Sequence, residues 1–214
     1  MGVAIGLDAA HAYFGRTIRE LVALAEAEGR IDVVAIDIPI GLPGKGRRQG
    51  DVLARPLVGP RWQSVFMTPV RDALLASDHA AAVVVNRKLA GEGISRQAFG
   101  LKTKILEIEG WVKEESRSVI EVHPEVCFAT MAQAPLLSRK KTVAGAEQRR
   151  LLLHAAGIRL TNELALAGVV AAVDDILDAA AAAWTARRYA GGQAKSMPVT
   201  PEMFSDGIIC AIWA

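Results

Sequence analysis

The sequence predicts an α/β fold, and the prediction depends on three segments near the start of the chain. Gly2–Asp8 is typical of a buried strand, Ile18–Ala25 carries apolar residues at helical spacing, and Val33–Ile38 is a short, almost wholly apolar run. An apolar run of this kind indicates a central strand covered on both faces. A strand, a helix and a second strand within about forty residues favour helices packed on a sheet.

Local signals set the boundaries of the remaining elements. Thr17 with Glu20 three residues later has the form of a capping box, and Gly29 is a natural helix stop. By the same signals we expect further helices and strands along the chain. The helices are Ser77–Ala90, Ser95–Glu115, Ala144–Ala156 and Asp174–Tyr189, and the strands are Ser118–Val122 and Ile208–Trp213.

The segment from Pro39 to Pro69 has no periodicity and holds five prolines and several glycines. Irregular segments of this length are commonly functional or disordered. Because Trp62, Val65 and Phe66 give the segment apolar groups to pack, we expect an ordered, functional loop.

Length and composition favour a single domain that covers residues 1–214. The chain is 51% hydrophobic and 22% charged, which excludes disorder and allows a sizeable core. Its apolar runs are too short to span a bilayer, and no signal peptide is recognisable. Cys127 and Cys210 have no metal or disulfide spacing, so we expect a reducing, cytoplasmic protein without a membrane partner. The net charge of +2 does not by itself indicate nucleic-acid binding.

Asp37 is the first candidate site residue. It interrupts an apolar strand, where an unpaired carboxylate is costly, and a sharp turn from Pro39 to Pro43 follows it. These features place the acid at the carboxyl end of a strand, the edge where open α/β sheets bind ligands. The alternative is an acid that caps nearby backbone amides, and we favour the functional role.

Glu121 and His123 form the second candidate group. They alternate along a strand that Pro124 ends, so they share one face. An acid and an imidazole on one face fit a metal ligand with a base, or a ligand with its orienting group. A structural histidine is the alternative.

Three aspartates begin the most alanine-rich helix. Asp174 is explained as a partner of the helix dipole, but Asp178 lies a turn further in, beside Asp175 on one surface. Carboxylates held together in this way normally require a cation, and oxygen ligands select Mg²⁺ or Mn²⁺.

Basic residues predict an anionic substrate. Arg48, Arg55 and Arg61 fall in the Pro39–Pro69 segment, and Lys140 precedes a helix start, where backbone amides also bind phosphate. Solvated surface side chains are the alternative for each of them.

Several motifs together resemble one known family. The motifs are D-I-P-I-G-L-P (37–43), R-x-x-D-x-x-A-R (48–55), G-P-R-W-Q-S-V-F (59–66), E-V-H-P-E-V (121–126), K-K-T (140–142) and D-D-I-L-D-A-x-x-A-A-W-T-A (174–186). They resemble domain-of-unknown-function family 429, whose members are described as predicted RNase H-like nucleases. The resemblance implies an RNase H-like mixed sheet flanked by helices. The aspartate helix is also distantly similar to the last acidic motif of RNase H-like Holliday-junction resolvases, in which acids at the positions of Asp175 and Asp178 would bind metal.

The start of the chain departs from the family pattern. Members open with a strand, a glycine-rich hairpin and a further strand, and the first strand carries an acid. Here the segment between Asp8 and Thr17 is too short for a full hairpin pair. Either the first strands are missing from this chain, or the hairpin is reduced and Asp8 stands in for that acid, and we favour the first. An exposed sheet edge would follow, for which homodimerisation is a hypothesis.

Two functions from different classes follow. The first is a metal-dependent nuclease in which Asp37, Glu121, Asp175 and Asp178 bind Mg²⁺ or Mn²⁺ and His123 transfers a proton. In this nuclease, four basic residues contact the phosphates of a nucleic acid or nucleotide, namely Arg48, Arg55, Arg61 and Lys140. The alternative is a non-catalytic module that binds a nucleotide, another anion or nucleic acid; a phosphotransferase is disfavoured by the lack of a glycine-rich phosphate loop.

Overall fold

The structure is a computed structural model that describes residues 2–5, 10–160 and 171–214. Its described strands form two sheets. A two-stranded antiparallel hairpin contains β1 (Gly2–Ile5) and β2 (Ala10–Tyr13), with Gly2 opposite Tyr13. The main sheet has the order β3-β4-β6-β5, in which β3 (Val33–Ile36), β4 (Ser118–Val122) and β6 (Ile209–Trp213) are parallel. β5 (Ser196–Met203) runs antiparallel to β6.

Nine α-helices are described around these strands. They are α1 (Ile18–Glu26), α2 (Gln49–Leu57), α3 (Arg71–Leu75), α4 (His79–Ala90), α5 (Arg96–Gly100), α6 (Lys102–Glu114), α7 (Pro124–Ala132), α8 (Val143–Ala155) and α9 (Val173–Ala190). A 3₁₀ helix spans Gly59–Ser64.

The main sheet is covered on both faces. On one face, α7, α8 and α9 pack through buried residues such as Phe128, Leu153 and Ala180 against Ile120 and Val122 of β4. On the other face, α1 and α6 supply a smaller cluster built from Val22, Ile36, Ile40, Ile108 and Trp111. The mixed α/β architecture predicted from the sequence is therefore confirmed in outline.

Capping explains where several helices begin. The hydroxyl of Thr17 accepts a hydrogen bond from the amide of Glu20 at 3.2 Å, as the sequence predicts. Thr142 caps α8 in the same way through Gly145, at 3.1 Å. The predicted helix Ser95–Glu115 is instead two helices, α5 and α6, which meet at Leu101.

The start of the chain forms a reduced hairpin, which is the alternative that the sequence left open. β1 and β2 pair over four residues each, and of the two strands only β2 lies between Asp8 and Thr17. The hairpin is separate from the main sheet, and it packs on α9. Asp8, the candidate first-strand acid, lies outside the described residues. Within the described sheet, β3 is an edge strand, and the homodimer expected from such an edge stays a prediction.

The Pro39–Pro69 segment is ordered, but it is not a loop throughout. It contains α2 and the 3₁₀ helix, and Pro56 is accommodated in the last turn of α2. Sequence periodicity missed α2 because Gly50 and Pro56 lie within its nine residues. Among the described residues, no helix is both long and apolar enough to cross a membrane.

Candidate active site

The candidate site lies at the carboxyl ends of β3 and β4. Asp37 directly follows β3, and the chain then turns away at Gly41, whose φ of 85° is a left-handed conformation. A Cβ atom at Gly41 would lie 2.9 Å from the Cβ of Cys210, so the turn also packs closely against β6. Glycine is therefore required where the chain leaves the site.

Strand register separates two of the predicted acids. Ile36 of β3 lies beside Glu121 of β4, so these two side chains share a face of the sheet. Asp37 is one residue further along and is directed to the opposite face, on which Val33, Ala35 and α9 pack. The sequence interpretation placed Asp37 and Glu121 on one metal ion. Both acids line the smaller cavity and the charge of Glu121 raises the pKa of Asp37, but the strand register directs their side chains to opposite faces of the sheet.

Glu121 belongs to a buried network of charges. Arg48 donates to both of its carboxylate oxygens, at 2.6 and 2.9 Å, and the amide of Ile40 donates at 2.7 Å. Arg48 also donates to Asp51 at 3.0 Å, and Asp51 accepts from the amide of Thr68 at 2.7 Å. Both oxygens of Glu121 are therefore engaged within the protein.

Arg48 has a different place from the predicted one. It was expected to contact substrate phosphate, but its side chain is fully buried and bonded to two carboxylates. Burial acts to lower the pKa of Arg48, but the charges of Asp51 and Glu121 raise it above its usual range. Burial also acts to raise the pKa of Glu121, and Arg48 and the Ile40 amide act against this effect. With three donors on the carboxylate, we assign Glu121 as ionised.

Asp178 is paired with Lys140 on the α9 side of the sheet. The Lys140 ammonium lies 2.5 Å from one oxygen of Asp178 and 3.7 Å from Asp174. The other oxygen of Asp178, Oδ1, is buried and has no hydrogen-bond partner within the described chain. Burial raises the pKa of Asp178, while Lys140 acts in the opposite direction.

The backbone before α8 fixes the position of Lys140. Thr142 caps α8, and its hydroxyl donates to the carbonyl of Arg139 at 2.8 Å. A Cβ atom at Gly145 would lie 1.9 Å from that carbonyl oxygen, so only glycine allows the approach. Burial acts to lower the pKa of Lys140, but its bond to Asp178 and the charges of Asp174 and Asp37 raise it overall.

Asp37 faces this cluster. Its side chain is open to solvent within the cavities that it lines, although protein atoms surround it closely. The protein atoms around it and the charges of Asp178 and Glu121 raise the pKa of Asp37 well above its usual value, against the effect of Lys140. The surroundings thus oppose the ionisation of both Asp37 and Asp178.

His123 lies beside the acids and is half-buried. Its Nε2 is 3.2 Å from the carbonyl oxygen of Ser64, and because a carbonyl only accepts, Nε2 carries the proton. Nδ1 then carries the lone pair, and it is buried without a partner in the described chain. Burial lowers the pKa of His123, so the ring is neutral at pH 7.

Two cavities meet at the acids. One of about 590 Å³ is lined by His123, Arg61 and Lys141, and the other, of about 960 Å³, runs along β3, α1 and α9. Both volumes suit a small ligand or a few nucleotide units. Four residues line both cavities, namely Asp37, Ile38, Lys140 and Asp178.

The other predicted residues have varied positions. Asp175 is exposed and lines only the larger cavity. Arg55 is half-buried and donates to the carbonyl of Val65 at 2.9 Å. Arg61 is half-buried, lines the smaller cavity and donates to the carbonyl of Leu137.

One buried pair near the site was missed by the sequence interpretation. Glu125 accepts two hydrogen bonds from Arg149, at 2.6 and 2.7 Å, and Arg149 is fully buried over the ring of Phe128. An arginine in a helix that otherwise looks amphipathic gives no sequence signal for burial. The pair joins α7 to α8 behind the smaller cavity, which Glu125 helps to line.

The predicted group of four metal ligands is not assembled. Within residues 2–5, 10–160 and 171–214, no set of three or more histidine, cysteine or acidic side chains is arranged to hold a metal ion. Asp37 and Asp178 nevertheless fit a site for Mg²⁺, which proteins often bind through one or two carboxylates, with water and substrate phosphate as further ligands. The unbonded Oδ1 of Asp178 and the mutual repulsion of the two acids support that fit.

We expect Arg48→Met to lower the free energy of unfolding by about 3–5 kcal/mol, because Glu121 and Asp51 would be left as buried, unpaired charges. The matched control is Arg150→Met, which removes an exposed pair with Glu147 and should cost less than about 1 kcal/mol. Urea denaturation of both variants checks this. Equal losses in the two variants would show that the buried network does not stabilise the fold.

The raised pKa of Asp37 also predicts a pH dependence. The folded chain binds the Asp37 proton more tightly than the unfolded chain, so stability falls as pH rises from the usual aspartate range through the raised pKa. Asp37→Asn removes this loss of stability, because asparagine does not ionise. Urea denaturation in chelator should therefore find the variant progressively more stable than the wild type between pH 4 and pH 8.

The control for this series is Asp72→Asn, at an exposed residue outside the lining of either cavity. The difference in free energy of unfolding between this variant and the wild type should stay constant across the same pH range. A constant difference for Asp37→Asn as well would mean that folding does not raise the pKa of the Asp37 carboxyl.

Comparison with known proteins assigns the chain to a family. A family model described as "Protein of unknown function (DUF429)" matches residues 2–203. No curated protein and no solved structure matches the chain. The match spans nearly the full sequence and includes Asp37, Lys140 and Asp178. The chain therefore belongs to the DUF429 family, as its motifs predict.

Proposed function

We propose that this protein is a metal-dependent nuclease, a hydrolase of phosphodiester bonds, on an RNase H-like fold. One observation carries the proposal. Asp37 and Asp178, from distant parts of the chain, converge with raised pKa values where two cavities meet. Acids whose ionisation is opposed by their surroundings are costly to the fold and are concentrated at functional sites.

The arrangement of elements supports the RNase H-like type. One acid follows an edge strand of a mixed sheet, and a second acid lies on a helix that packs across that strand. The motif resemblance favours the same fold.

Asp37 and Asp178 are the residues that would hold the cation. When bound, Mg²⁺ or Mn²⁺ would neutralise the two carboxylates and supply an activated water and charge stabilisation for the departing oxygen. Asp175, one turn before Asp178 on α9, lines the larger cavity and is available to bind water in the outer sphere.

Cations line the smaller cavity and would bind the substrate phosphates. Four basic residues form part of its wall, namely Arg61, Arg139, Lys140 and Lys141. Lys140 has a second task, because its ammonium holds Asp178 in place and limits the repulsion between the two acids. A phosphate that binds beside Lys140 would compete with Asp178 for this ammonium.

His123 is the candidate for proton transfer. Its neutral ring lines the smaller cavity, and the Ser64 carbonyl fixes the tautomer that leaves the Nδ1 lone pair free. A neutral imidazole with a lowered pKa is suited to accept a proton near neutral pH.

The second candidate function is a non-catalytic module that binds a nucleotide or nucleic acid. The contact between Lys140 and Asp178 favours it, because an internal ammonium already satisfies one carboxylate oxygen. Binding of nucleic acid without turnover, in any divalent metal, would support this function.

We expect the purified protein to cleave labelled nucleic acid in Mg²⁺ or Mn²⁺ and to lose this activity in EDTA. Asp37→Asn and Asp178→Asn should each lower the rate by about 100-fold or more, the range for groups that act on the reacting atoms. Asp72→Asn should keep the wild-type rate. DNA and RNA, single-stranded and duplex, should each be tested.

Circular dichroism and urea denaturation of each variant would separate loss of activity from loss of folding. Equal cleavage by the wild type and both acid variants would indicate a contaminant and reject the proposal. A wild type that cleaves none of the four substrates would also reject it.

A further inference from the structure

Trp62 is an exposed aromatic side chain next in sequence to Arg61, which lines the smaller cavity. It lies in the 3₁₀ helix Gly59–Ser64, and 48% of its surface is open to solvent. The guanidinium of Arg55 covers its ring, with the carbon of that group 5.0 Å from the ring centre. Arg55 is itself fixed by its bond to the carbonyl of Val65, so the ring is backed by a rigid cation.

The same short helix is continuous with the candidate site. Arg61 precedes Trp62 and lines the smaller cavity, and Ser64 lines it two residues later. Ser64 is also the residue whose carbonyl binds His123. Trp62 does not itself line this cavity, but it lies in the same short helix as two residues that do.

The surroundings of Trp62 indicate what would stack on it. Apolar exposure alone fits many partners, but here the aromatic residue is next in sequence to Arg61, one of four cationic side chains that line the smaller cavity. Flat aromatic faces next to a cationic groove are the features by which proteins bind unpaired bases and their phosphates together. The bases of a duplex are stacked on each other and do not offer a free face.

We propose that Trp62 is a stacking platform for an unpaired base, and that the substrate is single-stranded nucleic acid or a single-stranded segment. This inference rests on the proposed function, whose substrate class it narrows. Arg55 acts as a positioning residue that holds the ring, while Arg61 and Lys140 bind the flanking phosphates.

The test is fluorescence anisotropy in EDTA, where binding is measured without hydrolysis. The probe is a labelled single-stranded oligonucleotide, with the duplex of the same sequence for comparison. We expect tighter binding of the single strand. Trp62→Ala should weaken it about 5- to 150-fold, which corresponds to ~1–3 kcal/mol for one stacked base.

Controls separate stacking from other roles. Trp62→Phe should retain most of the affinity, because it keeps an aromatic face. Leu57→Ala, which truncates another exposed apolar side chain, should bind as the wild type does. The dependence of binding on salt concentration should be the same in Trp62→Ala and the wild type, because no phosphate contact is removed.

The outcomes are distinguishable from those of the hydrolase proposal. Single-strand binding that depends on Trp62, without hydrolysis in Mg²⁺, would uphold the platform and reject the nuclease. Equal affinity for both strand states, or no difference between Trp62→Ala and Leu57→Ala, would overturn the platform even if hydrolysis occurs. A protein that binds neither probe would overturn it as well and leave the Trp62 surface for a protein partner.

Discussion

The buried ion pair between Arg48 and Glu121 is the interaction on which the rest of the site depends. Glu121 is in the centre of the sheet, and Arg48 begins α2, so the pair anchors the segment after β3 to β4. The same carboxylate binds the amide of Ile40, three residues after Asp37. Because buried charges tolerate few alternative arrangements, the network holds the turn that places Asp37 at the sheet edge. Asp51 extends this constraint to Thr68 and the far end of the segment.

The acids on the opposite face have a different physical character. Both oxygens of Glu121 accept hydrogen bonds, whereas Asp178 contacts Lys140 through one oxygen only and its charge raises the pKa of Asp37. Stability alone does not account for two acids in one cleft whose ionisation the surroundings oppose, and the cation that we propose they bind would relieve that opposition. One residue of strand register thus separates the paired charges around Glu121 from Asp37, which we propose binds the cation.

Particular residues show how far the sequence determines this arrangement. Local patterns predict three features, because caps and periodicity are local properties: the cap at Thr17, the acid at a strand end at Asp37 and the inward-facing acid at Asp178. Local patterns do not predict which residues these and the other charged groups contact. Arg48 and Glu121 are 73 residues apart, and only the register of β3 against β4 decides which face each acid occupies. α2 was missed because Gly50 and Pro56 disguise its periodicity. The reduced hairpin β1–β2 was the less favoured alternative because each of its strands has only four residues.

Diffraction at the manganese absorption edge, from crystals grown with Mn²⁺, tests the central claim most directly. The account predicts an anomalous peak in contact with the carboxylates of Asp37 and Asp178, with the Lys140 ammonium displaced from its present contact. Glu121 should remain bonded to Arg48 and take no part in binding the ion. Crystals in which Mn²⁺ is absent from both aspartates, while Lys140 still contacts Asp178, would contradict the account.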